Sequence, residues 1–285
     1  MNLESRTPNM SNNEDAASDL DANNEITTGV EQEVSEAAQG PSADPAVLEE
    51  MMRAGAMYGR KKSKTNPKMK RYIFTIRNGI EIFDLPQTLE MLDKAADFIK
   101  GVIGKGGRIL IVGTRPAAQN LVKELAEKFN MPYVIERWLG GTLTNFKTIS
   151  KRIEHFKNLK ADKAAGKLEK YTKKERLEMD KQIEKFNRFF GGIESLSQLP
   201  DALLVVDTTY KNHLTAVREA NRLKIPIVGI INSNADPDAI VYPIPANDSA
   251  RSAIAWILNK IDKAIEEAKL QKAVVQPPVA QQPAA

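Results

Sequence analysis

Three aspartates, Asp207, Asp236 and Asp238, each follow a short apolar run. That is the carboxyl edge at which α/β proteins usually bind ligands. Together such carboxylates would suit Mg²⁺ through oxygen ligands. The same residues, set among Asn232, Asn234, Pro237 and Pro243, also read as turn and cap formers. No base or nucleophile completes a catalytic set. Cysteine is absent, and the only two histidines are His213, early in an expected helix, and His155, on an exposed helix face. The run Arg108–Gly113 (RILIVG) leading into a helix is how a dinucleotide fold begins. Glu136 lies 23 residues beyond Gly113, near the offset at which an acidic residue holds a ribose hydroxyl. The glycine fingerprint is missing, because Gly113 is followed by Thr114-Arg115-Pro116-Ala117-Ala118-Gln119. No GxxxxGK[ST] loop occurs either. No catalytic residue, metal centre or cofactor is therefore expected, and an enzyme is not.

Phosphate chemistry is better supplied. The formal net charge of +4 over 285 residues hides an asymmetry: residues 1–50 hold 12 acidic side chains against Arg6 alone. Residues 53–77 then carry nine Lys and Arg and no Asp or Glu. An acidic tail on a basic body points to nucleic acid, and an unopposed cationic cluster repels itself until an anionic partner relieves it. Lys61, Lys62, Lys64, Lys68, Lys70 and Arg71 are the expected phosphate contacts, with Arg60 and Arg137 behind them. Interleaved Tyr58, Tyr72 and Phe74 offer rings to unpaired bases, although Tyr72 and Phe74, two apart on a strand, are more often core. Residues 147–190 carry 14 basic against 7 acidic side chains, which is equally a solvated helix face. A further candidate is the loop Arg137-Trp138-Leu139-Gly140-Gly141-Thr142-Leu143-Thr144-Asn145-Phe146. Trp138, Leu139 and Phe146 read as core. The glycines, Thr142, Thr144 and Asn145 either serve that junction or bring N–H groups and hydroxyls to phosphates.

The elements that must position these groups alternate along the chain. Two apolar runs in 71–84 joined by Asn78-Gly79 predict a tight hairpin. A helix from Pro86 carries Leu89, Leu92, Ala96, Ile99 and Ile103 on one face. Strands are expected at 108–113, 133–136, 202–207 and 225–231, and helices at 116–129, 212–223 and 248–268. Continuous apolar strands between helices predict a doubly wound α/β body with a parallel sheet. Within 147–190, Phe146, Ile149, Ile153 and Phe156, then Met179, Ile183, Phe186 and Phe190, step by three and four. They predict an antiparallel coiled-coil hairpin with its tip near 161–171, closed by Gly191-Gly192. The expected organisation is a disordered acidic extension over 1–44, body over 45–146, hairpin insertion over 147–190, body over 191–268 and a disordered tail over 269–285. With 42% hydrophobic and 27% charged residues the composition is globular. No run approaches 18 apolar residues and no signal or transit pattern opens the chain, so a cytoplasmic protein without a membrane partner is expected.

The strings Asn66-Pro67-Lys68-Met69, Tyr72-Ile73-Phe74, Arg77-Asn78-Gly79-Ile80 and Val112-Gly113-Thr114 recur in one known family. So do the loop 137–146, Pro200-Asp201-Ala202, and Tyr242-Pro243-Ile244-Pro245-Ala246-Asn247-Asp248. Over about 47–263 the chain resembles the bacterial small-subunit ribosomal protein S-two family. The resemblance implies a flavodoxin-like body with a coiled-coil hairpin, no catalysis, and a seat on small-subunit rRNA between head and body. It also implies neighbouring ribosomal proteins, among them the mRNA-binding protein S-one, near the mRNA exit region. No homo-oligomer is expected. Where members often read His-Phe-Gly-His this chain has Met57-Tyr58-Gly59-Arg60, and Thr65 stands where Trp commonly precedes Asn-Pro-Lys-Met. Any metal-binding role of those histidines is therefore not carried over, and Arg60 is expected to offer a phosphate contact instead.

Overall fold

A computed structural model describes residues 44–210 and 213–275. Five parallel strands form the main sheet: β4 (Ile109–Val112), β5 (Tyr133–Val134), β6 (Ala202–Val206), β7 (Ile227–Ile231) and β8 (Tyr242–Pro245). Their spatial order is β5-β4-β6-β7-β8. In order of appearance that is 2-1-3-4-5, with the switch point between β4 and β6. The inner strands are buried at every residue, so their unbroken apolar runs split by period two onto two faces. Ile109, Ile111, Leu204, Val228 and Ile230 pack under α2 (Leu85–Gly104), α3 (Pro116–Phe129) and α7 (Arg251–Val275). Leu110, Val112, Leu203, Val205 and Ile227 pack on the opposite side under α6 (His213–Arg222). Both faces are covered, and the α/β reading holds.

Helix starts follow local chemistry. Asp84 caps α2 through Gln87 N–H, with Pro86 in the first turn. α3 ends where Asn130 turns left-handed at φ 53°. Asp44 caps α1 (Pro45–Arg53), a short helix not foreseen, which buries Leu48, Met51 and Met52. β8 was not foreseen either: Pro243 and Pro245 cannot donate to a ladder, which a strand tolerates at a sheet edge, where β8 lies. α7 runs past the expected end at residue 268 to Val275. The expectations for the acidic extension up to residue 43 and for the tail after 275 lie outside the described residues.

A second sheet carries the basic segment. β1 (Tyr58–Lys61), β2 (Ile73–Arg77) and β3 (Ile80–Phe83) pair antiparallel in the order β1-β3-β2. Asn78 and Gly79, at φ 48° and 74°, close the β2–β3 hairpin as their positive-φ preference dictates. Two short 3₁₀ turns, Lys62–Lys64 and Pro67–Tyr72, connect β1 to β2.

Between β5 and β6 stand α4 (Phe146–Ala164) and α5 (Lys173–Phe190). Phe156 meets Phe186 at 6.1 Å, and Lys163 pairs with Asp180 at 2.8 Å, so α5 runs back along α4. Ile149, Ile153, Phe156 and Phe190 are buried into the main core, while Ile183 and Phe186 are half-buried. Thr172 and Glu175 form a reciprocal capping box at the start of α5. At its end Gly192 lies against Tyr133, where a Cβ would collide with the carbonyl oxygen and ring. Gly192→Ala is expected to cost about 1–3 kcal/mol, read as a lower urea midpoint at unchanged slope.

Candidate nucleic-acid interface

The basic segment is tied to the carboxyl edge of the main sheet by buried charge. Asp248, 0% exposed, follows β8. Its Oδ1 accepts from Arg60 (2.9 Å), Arg115 (3.2 Å), Asn232 (2.8 Å) and the Ser249 hydroxyl (2.9 Å). Arg115 also donates to Asp207 Oδ2 at 2.7 Å. Asp207 sits just beyond β6 in a left-handed conformation, φ 62°, its Oδ1 accepting from the Thr209 amide and hydroxyl. Burial, then the charge of Asp248, raise Asp207 to about 6, against the opposing pull of Thr209 and Arg115. His213, also fully buried, donates from Nδ1 to the Asp207 carbonyl. Its Nε2 accepts from the Thr114 amide at 3.2 Å and faces the Thr114 hydroxyl at 2.9 Å. An acceptor at Nε2 requires the neutral ring, in keeping with the lowering that burial imposes on His213.

This network positions the eight expected contact residues differently. Arg60 is turned inward on Asp248, and its own amide donates to Ser233 Oγ at 3.0 Å. Gly59 beside it leaves little room for a side chain, since a Cβ would stand 3.0 Å from the Glu81 carbonyl oxygen. Lys68 pairs with Asp236 (3.1 Å) and Asp238 (2.9 Å), and Arg71 reaches Asp238 at 3.4 Å. The three aspartates that suggested a metal are thus divided: Asp207 belongs to Arg115, and Asp236 and Asp238 to Lys68. Among the described residues no group of three ligating side chains forms. Lys61, Lys62, Lys64, Lys70 and Arg137 are exposed and take no carboxylate partner among the described residues. Phe74 is 46% exposed, whereas Tyr72 is buried, so the two rings part instead of sharing the core. Glu136, the candidate ribose ligand, accepts from Arg188 of α5 at 3.0 Å.

The loop 137–146 is resolved in favour of a junction. Glu219 of α6, 7% exposed, accepts from Trp138 Nε1 (3.2 Å) and the amides of Gly141 (2.8 Å), Leu143 (3.0 Å) and Thr144 (3.2 Å). The Thr144 hydroxyl adds a fifth bond at 3.2 Å, and Thr142 Oγ1 donates to the Leu139 carbonyl. Those donors are consumed inside the protein and do not face a phosphate. Burial, which raises Glu219, is outweighed by the Gly141, Leu143 and Thr144 amides, so its pKa is lowered. Sequence reasoning missed Glu219, Arg115 and Asp248. Glu219 alone left a signal, an acid on the helical stripe of Ala216, Val217 and Ala220.

The carboxyl edge of the α/β body is thus filled by its own ion pairs, and the exposed Lys61, Lys62, Lys64, Lys70 and Arg137 take no part in them. The chain belongs to the ribosomal protein S2 family, whose model, described as "Ribosomal protein S2", matches residues 51–268. It is 46% identical over 223 residues to the "Small ribosomal subunit protein uS2" of Corynebacterium efficiens, covering 78% of this chain and 80% of that protein. Membership makes it a ribosomal protein of the translation machinery.

Three measurements check these anchors. Arg115→Met strands a buried carboxylate and is expected to cost about 3–5 kcal/mol in urea unfolding. Asp207 binds its proton more tightly folded than unfolded, so its contribution to stability falls as pH rises from 3.8 to about 6. Glu219 has the opposite sign, its contribution being lost as pH falls below 4.5. Asp207→Asn should remove the first slope, and Glu219→Gln should lower hydrogen-exchange protection at Gly141, Leu143 and Thr144. Unchanged protection there would overturn the anchoring role of Glu219.

Proposed function

We propose that the chain is a structural, non-enzymatic constituent of the small ribosomal subunit, binding small-subunit rRNA between head and body through the segment 60–71. The observation that carries this is the set Lys61, Lys62, Lys64 and Lys70, exposed at the end of β1 and along its connection to β2, with no ion-pair partner among the described residues. Family membership and the name of the Corynebacterium relative support the subunit. Lys68 and Arg71, exposed at their aspartates, exchange a weak surface pair for a phosphate at little cost. Arg60 acts as the fastener that aims the segment, and Arg137 extends the cationic surface.

Within the same reading, 45–146 and 191–268 form the body, and 147–190 is an inserted antiparallel coiled-coil hairpin. Supporting this, the exposed cations of α4 and α5 surround an apolar seam that is buried at its root. The hairpin contributes to docking neighbouring proteins, including the mRNA-binding protein S-one, near the mRNA exit region.

Sedimentation tests the residence. In a native lysate the chain should co-sediment stoichiometrically with the small subunit and survive a moderate salt wash. A chain found only at the top of the gradient, above intact subunits, defeats the proposal. For the contacts, Lys61→Ala, Lys62→Ala and Lys64→Ala together should flatten the salt slope of RNA binding by about one unit per lost phosphate, since duplex DNA shows ~0.9. An unchanged slope removes those three from the interface.

A further inference from the structure

The face of the small sheet beside the basic segment holds an open groove of about 490 Å³. Its floor is set by strand register. Ile76 stands directly opposite Glu81 across the β2–β3 ladder, so the two share a face, while Phe74, at the register shift between Ile73 and Thr75, is exposed like Ile76 and lines the same groove. Phe74 and Ile76 are 46% and 42% exposed, which is unusual for large apolar side chains of a folded sheet. Lys62 and Lys70 line the groove from the connection that runs beside it. Glu81 also lines it at 2% exposure, and its Oε2 has no hydrogen-bond partner. Thr65 Oγ1, another lining residue, is likewise buried without a partner. Unpaired polar atoms at such depth are costly unless a ligand or an ordered water completes them.

We propose that this groove binds one unpaired nucleotide of the RNA, stacked on Phe74 and read through its amino edge by Glu81. The proposal rests on the rRNA-binding reading above and adds the kind of RNA feature recognised. Each part of a nucleotide has a counterpart here. The ammonium groups of Lys62 and Lys70 suit the flanking phosphates. The Phe74 ring suits a base face, an arrangement open only to bases outside a duplex. The unpartnered Oε2 of Glu81 offers an acceptor, so it selects a base edge that donates, such as the exocyclic amine of cytosine, adenine or guanine. Uracil, with no exocyclic amine, satisfies Glu81 less well. The Thr65 hydroxyl can turn to donate or accept at the base or ribose. An acidic peptide would meet the same lysines but bring its own carboxylates toward Glu81, which disfavours it.

The test uses the full-length protein and single-stranded eight-nucleotide RNAs of one base type at fixed salt. Cytidine, adenosine or guanosine octamers should bind more tightly than uridine octamers. Phe74→Ala should weaken the preferred octamer about tenfold without changing its salt slope, and Phe74→Trp should restore binding. Glu81→Gln should erase the preference over uridine. If both variants bind as the parent does while the lysine substitutions still flatten the slope, the groove is not a base site and the rRNA reading stands. If the parent binds none of the octamers and no rRNA fragment, both fall together. A second readout works in assembled subunits: a photoreactive benzoylphenylalanine at position 74 should crosslink to an unpaired rRNA nucleotide. Crosslinks to protein alone, whether a neighbour or this chain's own acidic extension, would overturn the proposal.

Discussion

The arrangement depends on two carboxylates being buried side by side at the end of the sheet. Asp207 and Asp248 stand on the loops after β6 and β8, where solvent cannot reach them, and neither is tolerable there without a cation. Arg115, from the loop after β4, bridges both. Arg60 supplies the second guanidinium, and it comes from the N-terminal segment, 188 residues away along the chain from Asp248. Neutralising the sheet edge and placing the basic segment are therefore one event. A substitution at either arginine acts on both, through the compensation of a buried charge.

Glu219 applies the same logic to the other appendage. A carboxylate that collects five donors fixes Trp138 and the backbone from Gly141 to Thr144, and that backbone leads directly into α4. Charge-assisted bonds to backbone amides are roughly twice as strong as neutral ones, which suits a junction carrying two long, largely exposed helices. Asp207 and Glu219 respond to acid in opposite senses because their surroundings differ. At Asp207 burial, reinforced by the charge of Asp248, outweighs Thr209 and Arg115, whereas at Glu219 the donors outweigh burial.

Most of the body was legible in the sequence because period-two and period-3.6 apolar patterns are local. The inner strands appeared as unbroken runs, and the Asn78-Gly79 hairpin followed from positive φ. β8 was hidden by two prolines acceptable only at an edge, a fact that exists only once the sheet order is known. The aspartates were found and their position at strand ends was right, but their partners lie far off in sequence. Asp207 finds Arg115 at a separation of 92, and Lys68 finds Asp236 at 168. Charge clustering identified the cationic segment. It could not divide the residues that fasten the segment, Arg60 foremost, from those left free, because that division depends on tertiary pairing. The outward turn of Phe74 was equally hidden, since alternation alone does not say which face of a small sheet is covered.

In α/β proteins the crevice beyond the strand ends, at the switch in strand order, is where ligands bind. Here that place lies between β4 and β6, and it is filled. His213 bonds Thr114 after β4 to Asp207 after β6, and Arg115 reaches Asp207 and Asp248 beside it. Filling it with ionised groups costs desolvation that an apolar plug would avoid, so the sealing is hard to explain by stability alone. What the charges add is direction. An apolar plug would hold the N-terminal segment loosely in rotation, whereas a guanidinium bonded to one carboxylate oxygen fixes its orientation. With the crevice closed, the surface available to a polyanion is the one that Arg60 orients, and Lys61, Lys62, Lys64 and Lys70 lie on it without an ion-pair partner among the described residues.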